Sequence, residues 1–386
     1  MERSRQNLIF LCFSQLTFNF SLSFITVFLP FFIIRTSPYS TEVTLLWVGA
    51  IVGSANLCSA ATSTFWGSLT HRYSPKLLYL RGIAANAVMF FLMGFTTSLP
   101  MLLTLRILLG LAGGISTIGM IMVSSSSPKE RIPADIGLYQ SFIMLGNLVG
   151  PPVGSFAAAM LGYRGAFVSA SAVLVASSIF FYLFVADIPR LPRREKNAAG
   201  GTVDRRILVA WMVCFAVSIQ LGFLPSVLPN VFEAFHIERT IALKQAGMVV
   251  LLYTATAMIG TYVWTQVARR FGLYRIISFL LILGTVLQAL LAFGKGMIDF
   301  TLIRMIQTGV VTATVPLTIS TFAGEAKGGR LGFLNSSRFT GSALGPMIAT
   351  SILAASNLAT VYFFISGISL VAFLGFILFF KKGDSP

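Results

Sequence analysis

Three arginines stand inside stretches otherwise too apolar to hold a charge: Arg106, Arg304 and Arg338. A guanidinium taken out of water costs several kcal/mol unless it is solvated or paired. Such a residue is therefore a candidate for holding a charged or dipolar partner. The sequence offers few partners of its own. Its acidic residues are Glu2, Glu42, Glu130, Asp135, Asp187, Glu195, Asp204, Glu233, Glu238, Asp299, Glu325 and Asp384, and none falls near the middle of a long apolar run. Asp135 begins one run and Glu233 ends another. His71 and His236 both lie between runs. Cys12, Cys58 and Cys214 sit singly in apolar surroundings, with no CxxC spacing and no nearby His, so they read as small buried hydrophobes and not as disulfide or metal ligands. No paired carboxylates, HxxxH spacing or nucleophile–base set is present, so the expected chemistry is recognition of charge and not bond-making. Neither a cofactor nor a metal is implied.

Neutral polar residues add a second pattern. Gln15, Asn19 and Ser23 repeat at i, i+4 and i+8 and share one helical face. Asn335, Arg338 and Ser342 repeat at i, i+3 and i+7, and Gln140 and Asn147 are seven apart. Polar groups among apolar helices seek a protein interior or a wet cavity. These stripes are candidate cavity lining, and interhelical hydrogen bonding is the alternative. Phe20, Phe24, Phe142 and Met144 could add a plastic apolar surface.

The elements that position these residues follow from composition. The chain of 386 residues is 56% hydrophobic and only 10% charged, against about 25% charged in soluble domains. That leaves too few charges to cover a water-facing surface, so lipid is the implied solvent. Runs long enough to span occur at 8–34, 44–69, 77–96, 99–123, 134–160, 164–186, 207–233, 246–268, 275–294, 298–322, 331–354 and 358–380. They imply an all-α polytopic membrane protein of about twelve helices. Met1–Asn7 is short and polar, and the run after it is too long for a signal-peptide core.

A net charge of +16 is compatible with nucleic-acid binding, but the basic residues sit in short clusters between the runs. Assigned to alternating sides, twenty of the 28 Lys and Arg fall on one side and five on the other; the remaining three are the arginines above. The excess places both termini and the central loop in the cytoplasm. That loop, 187–206, holds Pro189, Pro192, Gly200, Gly201 and six basic residues, so it reads as a solvated linker. The expected organisation is a six-helix bundle over 1–186, a basic linker over 187–206 and a second bundle over 207–386. The halves also match in sequence. Trp66, Arg72 and Arg106 align with Trp264, Arg270 and Arg304 at an offset of 198. Gly137, Gly146, Gly150 and Pro151 align with Gly332, Gly341, Gly345 and Pro346 at 195. Parallel duplicated bundles are a known transporter plan.

Three motifs carry a resemblance over nearly the whole chain. Gly67-Ser-Leu-Thr-His71-Arg72-Tyr-Ser-Pro-Lys76 is similar to a GxLxDRxGRK loop. Arg106-Ile-Leu-Leu-Gly110 with Gly113 and Gly114 resembles an RxxxGxxxG segment. Gly146-Asn-Leu-Val-Gly150-Pro151-Pro152-Val-Gly154 resembles the antiporter motif GxxxGPxxGG. Together they resemble the major facilitator superfamily, in particular its twelve-helix drug:proton antiporter branch of multidrug and tetracycline-type exporters. The resemblance implies an exporter of small amphipathic compounds in the bacterial inner membrane, working by alternating access, coupled to protons and monomeric. It implies gating roles for Gly67, His71, Arg72 and Lys76, proton or substrate handling at Arg106, and close helix packing at Gly146, Gly150, Pro151 and Gly154. The duplicated positions Arg304, Gly345 and Pro346 are carried with them. His71 stands where the family has Asp, and Ser74 and Ser155 replace glycines. The lack of a central carboxylate leaves open an uptake carrier or facilitator for an organic anion.

Overall fold

The computed structural model describes residues 2–128, 130–186, 205–321 and 328–379, with side chains omitted at 2–4, 64, 133 and 328–332. Most of the basic linker, Lys327 and the carboxy-terminal Lys381 and Lys382 lie outside the described residues. Among those described, the regular elements are all helical. They are α1 (Glu2–Thr36), α2 (Thr41–Ser68), α3 (Pro75–Phe95), α4 (Leu99–Leu111), α5 (Ile115–Ser126), α6 (Ile132–Phe184), α7 (Arg205–Gly222), α8 (Leu224–Ala234), α9 (Arg239–Phe271), α10 (Leu273–Leu290), α11 (Met297–Val311), α12 (Thr314–Ser320), α13 (Gly328–Ala355) and α14 (Leu358–Phe379).

Among the described residues, ten helical stretches are long and apolar enough to cross a membrane. One of them, in α6, is far longer than the roughly 20 residues that a crossing needs; α6 has 53 residues and turns at Gly162 (φ 70°, ψ 169°), a backbone state open to glycine alone. It supplies the fifth and sixth spans, and α13 supplies the eleventh. Three expected spans are each broken in two. The fourth is α4 and α5, parted at Ala112–Gly114, where Gly114 takes φ 88°. The seventh is α7 and α8, with Pro225 in the first turn of α8, where its missing N–H costs nothing. The tenth is α11 and α12. Pro151 and Pro152 remove two backbone donors, which favours a bend, yet the non-helical residue in α6 is Gly162.

The described residues fall into two compact units. The first takes those of Met1–Ser37, Ser54–Lys196 and Leu243–Val250. Its core is α1 laid along α6, where Phe28 and Phe32 meet the Phe167 ring edge-on at 5.1 and 5.4 Å. The second takes Pro38–Gly53, Asn197–Ala242 and Leu251–Pro386. Here Ala210, Val213, Cys214 and Val217 form a buried stripe on α7 at helical spacing, packed with Ile277, Leu280, Leu317 and Phe376. In both units the polarity is inverted relative to a soluble protein. Met160, Leu161, Ile179, Leu183, Ile259 and Leu378 are exposed, whereas Gln15, Gln220, Gln288, Gln307 and Arg304 are buried. Exposed apolar surface on this scale is rare in soluble monomers and fits lipid contact.

Candidate functional site

In the first unit, the glycine-rich motif of α6 lies directly on the backbone of α1. A Cβ at Gly146 would sit 2.5 Å from the Leu16 carbonyl oxygen and 2.9 Å from the Phe20 nitrogen. One at Gly150 would sit 2.7 Å from the Phe20 oxygen and 3.0 Å from the Phe24 nitrogen, and one at Gly154 would meet the Phe24 carbonyl. Only hydrogen fits at such distances, so three glycines spaced by four form a groove for α1. Ser23 fastens the seam by donating to the Gly146 carbonyl oxygen (3.2 Å) as well as to Asn19 O (2.8 Å). Gly137 takes no part in it: nothing lies within 4 Å of its Cβ position. On another face of α6, Gly247 of α9 approaches Pro151 and Pro152 so closely that a Cβ would lie 2.6 and 2.7 Å away.

The second unit repeats this construction. A Cβ at Gly341 of α13 would lie 2.6 Å from the Phe215 oxygen of α7, and one at Gly345 would lie 3.2 Å from the Ile219 oxygen. The α1 residues Leu16, Phe20 and Phe24 thus correspond to Phe215, Ile219 and Phe223, all 199 positions on. Gly49 of α2 lies against Pro346, Met347 and Thr350 of α13, as Gly247 lies against the Pro151 pair. The duplication is visible in which backbone atoms meet.

Helix α1's polar stripe faces the interior of the first unit. Gln15 donates to Ser116 Oγ (2.8 Å) and accepts from Tyr79 Oη (2.8 Å). Tyr139 Oη reaches the Ser116 carbonyl oxygen at 3.4 Å. Asn19 donates to the Gln15 oxygen (2.9 Å). Gln140 and Asn147 are half-buried, and Asn335 and Arg338 of α13 are exposed. Arg106 is buried at 5% exposure. One turn on, Gly110 lies against Ala55 and Cys58 of α2.

The Gly67–Lys76 loop forms a short 3-10 turn over Leu69–His71 and then α3. Gly67 comes within 3.3 Å, measured from a Cβ position, of Thr117. Ser74, standing where the family has glycine, is the N-cap of α3 and accepts from the Leu77 N–H (3.4 Å), with Pro75 next in the first turn. Lys76 Nζ donates to the Tyr182 carbonyl oxygen (2.8 Å). His71 is half-buried and Arg72 exposed.

Arg81 does more than mark topology. Its guanidinium lies 3.3 Å from the centre of the Trp66 ring and donates to the Ala112 (2.9 Å) and Gly113 (3.2 Å) carbonyl oxygens, where α4 ends. Trp66 itself donates to the Leu111 oxygen (2.7 Å), and a side chain at Gly114 would strike its ring. The break in the fourth span is thus capped by a cation, which also suits the negative end of the helix dipole. At the repeat positions the contact is aromatic: Trp264 meets Phe279 at 5.7 Å. Charged hydrogen bonds of this kind contribute roughly 1.5–3 kcal/mol and cation–π contact about 1 kcal/mol. Arg81→Ala should therefore lower the unfolding temperature in detergent and alter Trp66 fluorescence, with Arg81→Lys in between. Equal stability of all three proteins would remove the cap from the account.

The second unit holds a polar cluster that the sequence reading missed. Arg304 of α11, fully buried, donates through Nη1 to Gln307 Oε1 (2.8 Å) and through Nη2 to the Leu221 oxygen (3.3 Å). Gln307 Nε2 donates to Gln220 Oε1 (2.7 Å) and Gln288 Oε1 (3.2 Å). Gln220 Nε2 donates to Ser369 Oγ. Phe223 and Tyr253 present their rings to the guanidinium at 5.2 and 5.1 Å. A usable signal was present: single Gln residues on the seventh, ninth and tenth spans, with Gln307 three residues beyond Arg304. Among the described residues, Arg106 and Arg304 are the buried charges, and no Asp or Glu is buried.

A helical chain whose described residues turn apolar groups outward and polar and cationic groups inward fits a membrane transporter. Comparison with known proteins agrees. The family model described as Major Facilitator Superfamily matches residues 11–303 and 207–386. The multidrug resistance protein MdtG of Rahnella sp. (strain Y9602) is 23% identical over 354 residues, covering 89% of this chain and 86% of that protein. Among solved structures, the nucleoside transporter NupG superposes with a TM-score of 0.75 at 14% identity, covering 99% of this chain and all of that one. A D-xylose–proton symporter gives 0.74 at 17%, covering 98% of each. The chain belongs to the Major Facilitator Superfamily.

Proposed function

We propose that this chain exports small amphipathic compounds across the bacterial inner membrane by alternating access, driven by protons. In this reading 1–186 and 207–386 are the moving bundles, joined by the cytoplasmic linker 187–206, with both termini in the cytoplasm and the monomer as the working unit. The observation that carries it is the Gly146–Gly154 motif seated on α1, together with likeness to multidrug resistance proteins over most of the chain. Gly67, His71, Arg72 and Lys76 serve the cytoplasmic gate. Arg106, with Gly110, serves proton or substrate handling. Gln15, Asn19, Ser23, Gln140, Asn147, Asn335 and Arg338 border the substrate path.

The test is efflux of a panel of amphipathic dyes, anionic as well as cationic, from cells lacking their own pumps, with and without a protonophore. Wild type should lower dye accumulation, and the protonophore should abolish the difference. Arg106→Ala should bring accumulation back to the empty-vector level at normal membrane abundance. Unchanged efflux in that variant would take Arg106 out of the mechanism. A second reading, a carrier or facilitator for an organic anion, is favoured by two buried cations and no buried acid among the described residues. It calls for pH-independent flux in both directions across proteoliposomes.

A further inference from the structure

The cluster around Arg304 is short of acceptors. Gln307 Oε1, Gln220 Oε1 and Gln288 Oε1 each already accept a hydrogen bond from within the cluster. Two donors remain without a partner, Arg304 Nε and Gln288 Nε2, both on residues with no exposed surface. Buried polar groups are almost always satisfied, and orphans in one cluster ask for an explanation. A buried glutamine network can instead be built from neutral partners. The first unit shows it: Gln15 there both donates and accepts, among Tyr79 and Ser116, and carries no charge. Around Arg304 the hydrogen bonds run one way, from guanidinium to Gln307 to Gln220 to Ser369. Such a chain spreads positive charge without cancelling it. Ring faces at 5.1 and 5.2 Å offset part of the cost. The remainder asks for an anion.

We propose that Arg304 and Gln288, supported by Gln307 and Gln220, bind the anionic head of the transported compound. Phe223 and Tyr253 would receive its apolar body. This rests on the reading of the chain as a transporter of amphipathic compounds and names the class: amphipathic organic anions carrying a carboxylate, sulfonate or phosphate. A planar guanidinium with free N–H groups suits all three oxyanions. The residues come from α7, α10 and α11, so the cluster senses the packing of three helices and can open when they part.

The experiment uses the full chain purified in detergent. Three probes are titrated by intrinsic fluorescence: 1-naphthoate, 1-naphthalenesulfonate and dodecyl phosphate, each beside its uncharged ester. At least one acid should bind wild type 10- to 100-fold more tightly than its ester, the span expected for charge-assisted hydrogen bonds. Arg304→Gln should erase that ratio and Arg304→Lys should retain part of it. Gln288→Leu, which leaves the Arg304–Gln307 bond intact, should reduce the ratio about tenfold; it also decides the matter if Arg304→Gln does not fold. Equal affinity of acid and ester for all three pairs in wild type would overturn the proposal, as would an undiminished ratio in Gln288→Leu. The export reading stands or falls separately, on dye efflux in cells, because the titration involves no gradient and no direction.

Discussion

Gly150→Leu is expected to abolish transport and to leave little protein that survives mild heating in detergent. Its Cβ would fall 2.7 Å from the Phe20 carbonyl oxygen and 3.0 Å from the Phe24 nitrogen. Both are backbone atoms of a helix and cannot rotate away, so α1 and α6 must part. In lipid, helices associate through van der Waals contact and hydrogen bonds rather than exclusion from water, and a gap of an ångström forfeits a quarter to a half of each contact. Overpacking costs about 1–3 kcal/mol where side chains can adjust, and more where they cannot; the Ser23–Gly146 hydrogen bond would go too. Gly137→Leu is the control on the same helix, with open space around its Cβ, and should be harmless. Gly345→Leu should be intermediate, because its nearest contacts lie at 3.2–3.5 Å. The measurements are size-exclusion profiles after a temperature series and dye efflux at matched abundance. A Gly150→Leu protein as stable as Gly137→Leu would show that the groove is not needed.

The apolar runs made the helical architecture legible, because spanning length and charge clusters are properties of single segments. Contacts between segments were less so. Glycine spacing marked the α1–α6 seam correctly, since GxxxG signals close approach without naming the partner helix. It gave no sign that Gly113 and Gly114 end a helix, because a packing glycine and a left-handed one look alike in sequence. The departure at Ser74 became intelligible only with its capping hydrogen bond to Leu77 in view. Helical periodicity put Asn335 and Arg338 on one stripe, as it did Gln15, Asn19 and Ser23, yet it cannot say what a stripe meets. One is exposed and the other is largely spent on hydrogen bonds inside its own unit. Arg304 stood out in the sequence, but its partners did not, because Gln220, Gln288 and Gln307 come from three different helices and each reads as an isolated amide.

Gln307 is the hub of that cluster, and two substitutions there separate shape from charge. Gln307→Leu keeps the volume but strips the partner from Arg304 Nη1 and the donor from Gln220 Oε1 and Gln288 Oε1. Three buried polar groups then lack partners, at about 1–3 kcal/mol each and more for the charged one. The protein should lose most of its thermal stability margin, since whole folds rest on only about 5–15 kcal/mol. Gln307→Glu should behave in the opposite sense. The carboxylate keeps the contact to Arg304 and turns it into an ion pair, while the amides of Gln220 and Gln288 can rotate to donate. Stability should hold or rise, and the acid-over-ester preference should vanish because the protein now supplies the anion itself. A variant that folds well but has lost charge discrimination is an outcome that simple structural damage cannot produce. If Gln307→Glu instead kept the full preference, the guanidinium would not be the group that meets the ligand's charge.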